Sequence, residues 1–160
     1  MIVILIRSID LSVASNLALT GMIVSLISQS NYELSIIFII FMSIFIGTVL
    51  GLINGIFVGY LNVPFIIVTL GTLSIYRGLI YFISGGEQIY AHEFSKNFLD
   101  FVQYKFFNIP SSIILALIIF VFFLIILNFT KFGKKIYALG DNPNAAIRLG
   151  INIKAYTLIV

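Results

Sequence analysis

The sequence predicts an all-α fold, a polytopic bundle of transmembrane helices with about four complete spans and the start of a fifth. Three observations predict it. Of 160 residues, 61% are hydrophobic and only 9% charged, whereas soluble domains carry about 45–50% apolar and about 25% charged residues. The mean hydropathy is +1.16. The apolar residues gather in long runs, and a bilayer core of about 30 Å takes about 20 such residues per helix. These runs leave only short connections, so no separate soluble domain fits. Residues 1–160 read as a single, partial transmembrane domain.

The chain opens in an apolar segment, Met1 to Ile6, and its first charge, Arg7, follows that segment. A secretory signal peptide has the opposite order. Leu11 to Ser28 is the first span, Leu34 to Tyr60 the second, Pro64 to Ile83 the third and Pro110 to Phe129 the fourth. A fifth starts at Ala155 and reaches Val160. Spans normally finish in polar, charge-bearing flanks, so the expectation is a fragment.

Orientation follows from the basic residues of the short connections. The segment from Thr130 to Lys154 carries Lys131, Lys134, Lys135, Arg148 and Lys154 against Asp141 alone, and reads as cytoplasmic. Counting spans backwards makes Gly85 to Asn108 external, Leu61 to Val63 internal, Gln29 to Glu33 external and Arg7 internal. Lys96 and Lys105 then fall outside, and Arg77 lies within a span.

In the second span Gly47, Gly51, Gly55 and Gly59 recur every four residues and share one helical face. Within lipid such stripes let another helix approach closely. The stripe serves packing inside one subunit or faces a pore or a second subunit; Asn54 favours the latter, because a buried amide needs a partner or water. In the external segment Phe94, Phe98 and Phe101 or Val102 stand at helical spacing among polar residues, which suits a helix lying in the interface plane or a loop with aromatics at headgroup level. His92 reads as an interfacial surface residue.

Charges at membrane depth are costly and are paired, functional or near the surface. Arg7 and Asp10 stand three residues apart and either pair along one face or sit at the polar edge. Arg77 snorkels outward from the third span or lines a transport path. Thr69, Thr72 and Tyr76 share a face at spacings of three and four. Their hydroxyls either bond their own backbone or meet water or another helix. Asn54, Thr69, Thr72 and Arg77 are the candidates for a translocation path.

After a polar, turn-rich stretch from Lys134 to Gly140, the chain reads as a short punctuated helix: Asn142 as N-cap, Pro143 at the first position, Gly150 just past the end. Two turns are marginal alone in water. A groove on a soluble partner is expected to hold it by Ala145, Ala146 and Leu149.

With no cysteine and one histidine, a thiolate metal site, a histidine cluster and a cysteine nucleophile are excluded. No phosphate loop followed by Lys and Ser or Thr occurs. Scattered basic residues form no stripe for nucleic acid. The chain reads as a non-enzyme that binds no cofactor directly.

Several stretches resemble the membrane permease subunits of ATP-binding-cassette importers for ribose, xylose, galactose and related sugars. They are Ile9-Asp10-Leu11-Ser12-Val13, Pro64 through Thr72, Tyr76-Arg77-Gly78-Leu79, Ser84-Gly85-Gly86 and Gly133 through Gly150, in that family's order and spread over nearly the whole chain. The family usually has glycines just before the Ile-Asp-Leu-Ser stretch and one after it, where this chain has Arg7, Ser8 and Ala14. Its members run to roughly twice this length. The resemblance implies an inner-membrane, multi-pass permease half that pairs with a second copy around a central path. It implies a partner ATPase that uses the ATP and is coupled through Asn142, Pro143, Ala145, Ala146, Leu149 and Gly150. It also implies an extracytoplasmic sugar-binding protein that holds most of the selectivity. The rival readings are a secondary transporter, which needs more ionisable residues in its spans, and a non-functional permease remnant.

Overall fold

A computed structural model describes residues 2–30, 34–90, 93–94, 96–106 and 108–160. His92 lies outside them. The helices are α1 (Ile2–Leu5), α2 (Val13–Ser30), α3 (Ile36–Gly59), α4 (Phe65–Ser84), α5 (Lys96–Gln103), α6 (Ser111–Phe129), α7 (Lys131–Asp141), α8 (Pro143–Arg148) and α9 (Ile153–Ile159). One short antiparallel ribbon, β1 (Lys105–Phe106) with β2 (Ile109–Pro110), interrupts them. The architecture is the all-α transmembrane bundle the composition predicts, and α3, α4 and α6 are each long and apolar enough to cross a membrane.

Local chemistry sets the helix ends. The Ser35 hydroxyl accepts from Phe38 N at the start of α3. Asn62, at φ 54, turns the chain before Pro64, whose fixed ring geometry leads into α4. Gly85 ends α4 in the left-handed conformation, at φ 63, which costs glycine no Cβ clash. Thr130 closes α6 and opens α7, its Oγ1 accepting from Gly133 N at 3.2 Å.

Contacts between named residues give the topology. Asn16 Nδ2 donates to Gly47 O at 3.4 Å, and Asn54 Nδ2 donates to Ser12 Oγ at 2.7 Å. As α2 advances α3 recedes, so the two are antiparallel. Buried Tyr76 donates its hydroxyl to Leu50 O at 2.8 Å and ties α4 to α3. Leu19, Ile39, Val68 and Tyr76 form the core of this three-helix unit. Leu127, Ile136, Leu139 and Ala146 form a smaller one along α6, α7 and α8, which pack in series.

The connections sort onto two sides. On one, Arg7 Nη2 donates to Asp141 O at 2.8 Å, and Gly59 abuts the Lys154 carbonyl. On the other, Gln29 Nε2 donates to Glu93 Oε2 at 2.6 Å, and α5 packs on α6 and α3. This division matches the alternation read from the charges.

Two features differ from the sequence reading. The stretch from Lys134 to Gly140 is not a turn but part of α7, with Gly133, Ile136, Leu139 and Gly140 all facing inward. Its glycines mark close contact: at Gly133 the Leu127 carbonyl occupies the place of a Cβ, and at Gly140 the Leu5 carbonyl does. In the segment from Gly85 to Asn108 the amphipathic α5 follows the helical one of the two readings, with Phe94 stacked on Phe98 at 5.0 Å, but β1 of an unforeseen ribbon comes after it.

Candidate functional site

Between α1 and α2 the backbone leaves helical geometry over residues 6–12. Here side chains take over the bonding. Asp10 Oδ1 accepts from both Ser12 N at 2.8 Å and Ser12 Oγ at 2.7 Å, and Ser12 O receives Asn16 N to start α2. Arg7 therefore bonds the Asp141 carbonyl and Asp10 bonds Ser12, rather than the two charges pairing along one helix face.

The fully buried Ser12 hydroxyl has one proton, and Asp10 receives it. Its oxygen can then only accept, and it accepts from Asn54 Nδ2. This chain of donors fixes the Asn54 amide: Nδ2 faces Ser12 and Oδ1 faces away. Asn54 is 7% exposed and Thr69 is 3% exposed, yet neither Asn54 Oδ1 nor Thr69 Oγ1 has a partner among the described residues. Both residues, with Asp10 and Gly51, belong to the lining of an open, mostly apolar cleft of about 460 Å³ bordered by the break, α3, α4 and α9.

The four path candidates do not form one group. Asn54 and Thr69 meet at this cavity. Thr72 is buried one turn further along and spends its hydroxyl on its own helix, donating to Val68 O at 3.0 Å. Arg77 is exposed, on a different face of α4 from Thr69, Thr72 and Tyr76.

The four glycines of α3 have different neighbours. A Cβ at Gly47 would lie 3.8 Å from Thr20 Oγ1 of α2, one at Gly55 would lie 3.0 Å from Leu158 O, and one at Gly59 would lie 3.0 Å from Lys154 O. A Cβ at Gly51 would meet nothing within 4 Å, because it opens on the cavity.

In the segment after α7, Asn142 Oδ1 accepts from Ala145 N at 3.1 Å, Pro143 occupies the first turn of α8, and Gly150 follows Leu149 at φ 75. One expectation is corrected. Ala146 does not share an exposed face with Ala145 and Leu149: it is 1% exposed, packed inward, whereas Leu149 is 76% exposed. All of α8 but Ala146 is exposed, and Ala145 and Ile147, with the cap residue Leu149, are among its outward residues. Sequence reading also passed over Ser12. The signal was present, since Asp followed two residues later by Ser before an apolar run is the pattern of an Asx turn opening a helix.

Three helices long and apolar enough to cross a membrane, a break beside a cleft and short amphipathic helices fit a multi-pass membrane protein. The family described as "Branched-chain amino acid transport system / permease component" matches residues 1–160, and the chain belongs to it. The D-allose transport system permease protein AlsC of Escherichia coli strain K12 is 34% identical over 98% of this chain and 47% of its own length. The galactose/methyl galactoside import permease protein MglC of Salmonella typhimurium strain LT2 is 33% identical over 94% and 49%. The autoinducer 2 import system permease protein LsrC of Escherichia coli O9:H4 is 29% identical over 99% and 45%. The chain thus spans about half the length of these relatives. No solved structure matches it.

Proposed function

We propose that the chain is part of the membrane-spanning permease subunit of an ATP-driven importer. In this reading it translocates a monosaccharide delivered by an extracytoplasmic binding protein and pairs with a second permease copy in the inner membrane. The observation that carries the reading is the match over nearly the whole chain to permeases named for D-allose and for galactose and methyl galactoside. The side that holds Lys131, Lys134, Lys135, Arg148 and Lys154 is cytoplasmic, by the excess of basic residues there. α8 is the coupling element: Asn142 and Pro143 set its start, Gly150 its end, Ala145 and Leu149 face the ATPase, and buried Ala146 seats it on the chain. An ATPase groove that moves α8 moves α7 and α9 with it. α9 in turn lies against Gly55 and Gly59 of α3, so the motion reaches the cavity as a rigid-body tilt. The glycine stripe permits that close packing, and Asn54 and Thr69 contribute polar wall to the path. Arg77, exposed on α4, faces the second copy or the outer headgroups.

The test is uptake of labelled D-allose and D-galactose into proteoliposomes holding the full-length subunit, its ATPase and its binding protein. ATP-dependent uptake that needs all three is expected. Uptake driven by an ion gradient without ATP would overturn the reading in favour of a secondary transporter.

A further inference from the structure

Arg7 ends one helix with its backbone and another with its side chain. Ser8 N donates to Val3 O at 3.1 Å and Arg7 N donates to Ile4 O at 3.0 Å, the pair of bonds that closes a helix C-terminus around a residue in the left-handed region. That residue is Arg7, at φ 60. Glycine is the usual occupant of such a position, because a Cβ there crowds the following carbonyl. The arginine side chain makes a bond that glycine lacks. Its Nη2 donates at 2.8 Å to the carbonyl of Asp141, the last residue of α7. A carbonyl at the end of a helix has no partner within that helix, and a cation suits the negative end of the helix dipole. Beside this bond the two backbones touch, since the Leu5 carbonyl occupies the place of a Cβ on Gly140. Four residues are too few to hold a helix alone. The contacts with α7, the element on which α1 packs most, therefore keep α1 in shape. The start of α2 is fixed separately. Asp10 Oδ1 accepts from Ser12 N and Oγ, Ser12 Oγ accepts from Asn54 Nδ2, and α2 packs on α3 and α4. Among the described residues no backbone hydrogen bond crosses from residues 2–8 to residues 9–30.

We propose that Arg7 is a latch that makes α1 part of the layer of α7 and α8, and that residues 8–11 form the joint at which this layer turns against α2, α3 and α4. A displacement of α8 then reaches the link between Asp10, Ser12 and Asn54 through Arg7 as well as through α9. What displaces α8 rests on the importer reading; the latch and the joint do not.

The full-length permease in lipid nanodiscs, without its partners, tests both. Hydrogen exchange reads the latch at the amides of Ile6, Arg7 and Ser8, all bonded to carbonyls of α1. By its backbone alone, Arg7→Gly should slow their exchange, because glycine suits φ 60. As the loss of a latch it frees α1 from α7, and exchange about tenfold faster is expected, the scale of one lost hydrogen bond. Gly140→Ala attacks the same contact from α7 and is expected to do the same, with the double variant little faster than either alone. Exchange in α2 and α3 is expected to stay as in wild type. Unchanged or slower exchange in Arg7→Gly, or a rise shared equally by α2 and α3, would overturn the latch. Spin labels in a cysteine-free background read the joint. Ile4→Cys with Tyr137→Cys places two exposed labels within one body, and Ile4→Cys with Leu17→Cys places them across residues 8–11. A narrow distance distribution for the first pair and a broader one for the second are expected, and Arg7→Gly should broaden the first. A first pair as broad as the second, or one that Arg7→Gly leaves unchanged, would show that α1 does not ride on α7 and would overturn the proposal. Neither readout needs the ATPase, so failure of the uptake assay and failure of the latch are told apart.

Discussion

At Ser12 a single hydroxyl joins the broken start of α2 to the C-terminal third of α3. It donates to Asp10 and accepts from Asn54, with every member at least partly buried. Removing one partner strands another, and an unsatisfied buried group costs about 1–3 kcal/mol. Ser12→Ala is therefore expected to destabilise the full-length protein by that amount, read as a shift in denaturant midpoint in detergent. Because Asn54→Ala cuts the same link, the double variant should lose less than the sum of the two. Additive losses would show that the two residues do not communicate. Asn62 provides a backbone test. At φ 54 it occupies the left-handed region, which Asn and Gly tolerate and β-branched residues do not. Asn62→Gly should be near neutral and Asn62→Val should cost about 1–2 kcal/mol by the same measurement. At this scale the sequence disclosed Asn54 and Thr69 as polar residues in apolar surroundings. It did not disclose Ser12, because a serine beside an aspartate at a span boundary reads equally well as surface. Only the pairing across α2 and α3 distinguishes the two.

At the scale of elements, the four runs read as spans each hold a helix whose ends lie within two residues of those read, because apolar runs bounded by Pro, Gly and polar residues leave few alternatives; of these, α3, α4 and α6 are long and apolar enough to cross a membrane, and α2 falls short. The helix α7 was not. Its two glycines and three lysines resemble a turn in a one-dimensional reading. In three dimensions the glycines let the helix sit on the backbone carbonyls of Leu127 and Leu5. The α3 glycines illustrate the same limit, since equal spacing concealed unequal surroundings. Gly55→Ala and Gly59→Ala push a Cβ against the α9 backbone and should cost about 1–3 kcal/mol. Gly51→Ala meets open space and should gain about 0.5–1 kcal/mol from reduced backbone freedom. Apparent unfolding temperatures of the three variants decide it; an equal response would show that α9 does not pack on this face. Asn142→Ala removes the cap of α8, and a lost N-cap costs about 1 kcal/mol. Its effect should appear as faster hydrogen exchange from Ala145 through Arg148, with the spans unchanged.

For the whole molecule, three contacts far apart in sequence divide the connections between two sides: Arg7 with Asp141, Gly59 with Lys154 and Gln29 with Glu93. The charge asymmetry supports the proposed assignment of the side with Asp141 and Lys154 to the cytoplasm. Much of α6 is exposed in this chain, including Phe120, Phe122 and Leu124, as lipid or further helices of a permease would require. The outward surface of α8 was legible only in part. A helix of two turns has so few residues that one inward contact, that of Ala146, reassigns half its face. Coupling is therefore probed at Leu149 rather than Ala146, where a larger side chain would disturb the chain's own packing. This chain has no cysteine, and any cysteine elsewhere in the full-length protein is first replaced by serine. In membranes holding the full-length protein and its ATPase, Leu149→Cys and Glu87→Cys are each labelled with a maleimide-linked benzophenone and irradiated. A cross-link to the ATPase from Leu149→Cys and none from Glu87→Cys is the predicted result. A cross-link from Glu87→Cys, or none from Leu149→Cys while the ATPase remains bound, would contradict the assignment of this chain as the coupled half of an ATP-driven permease.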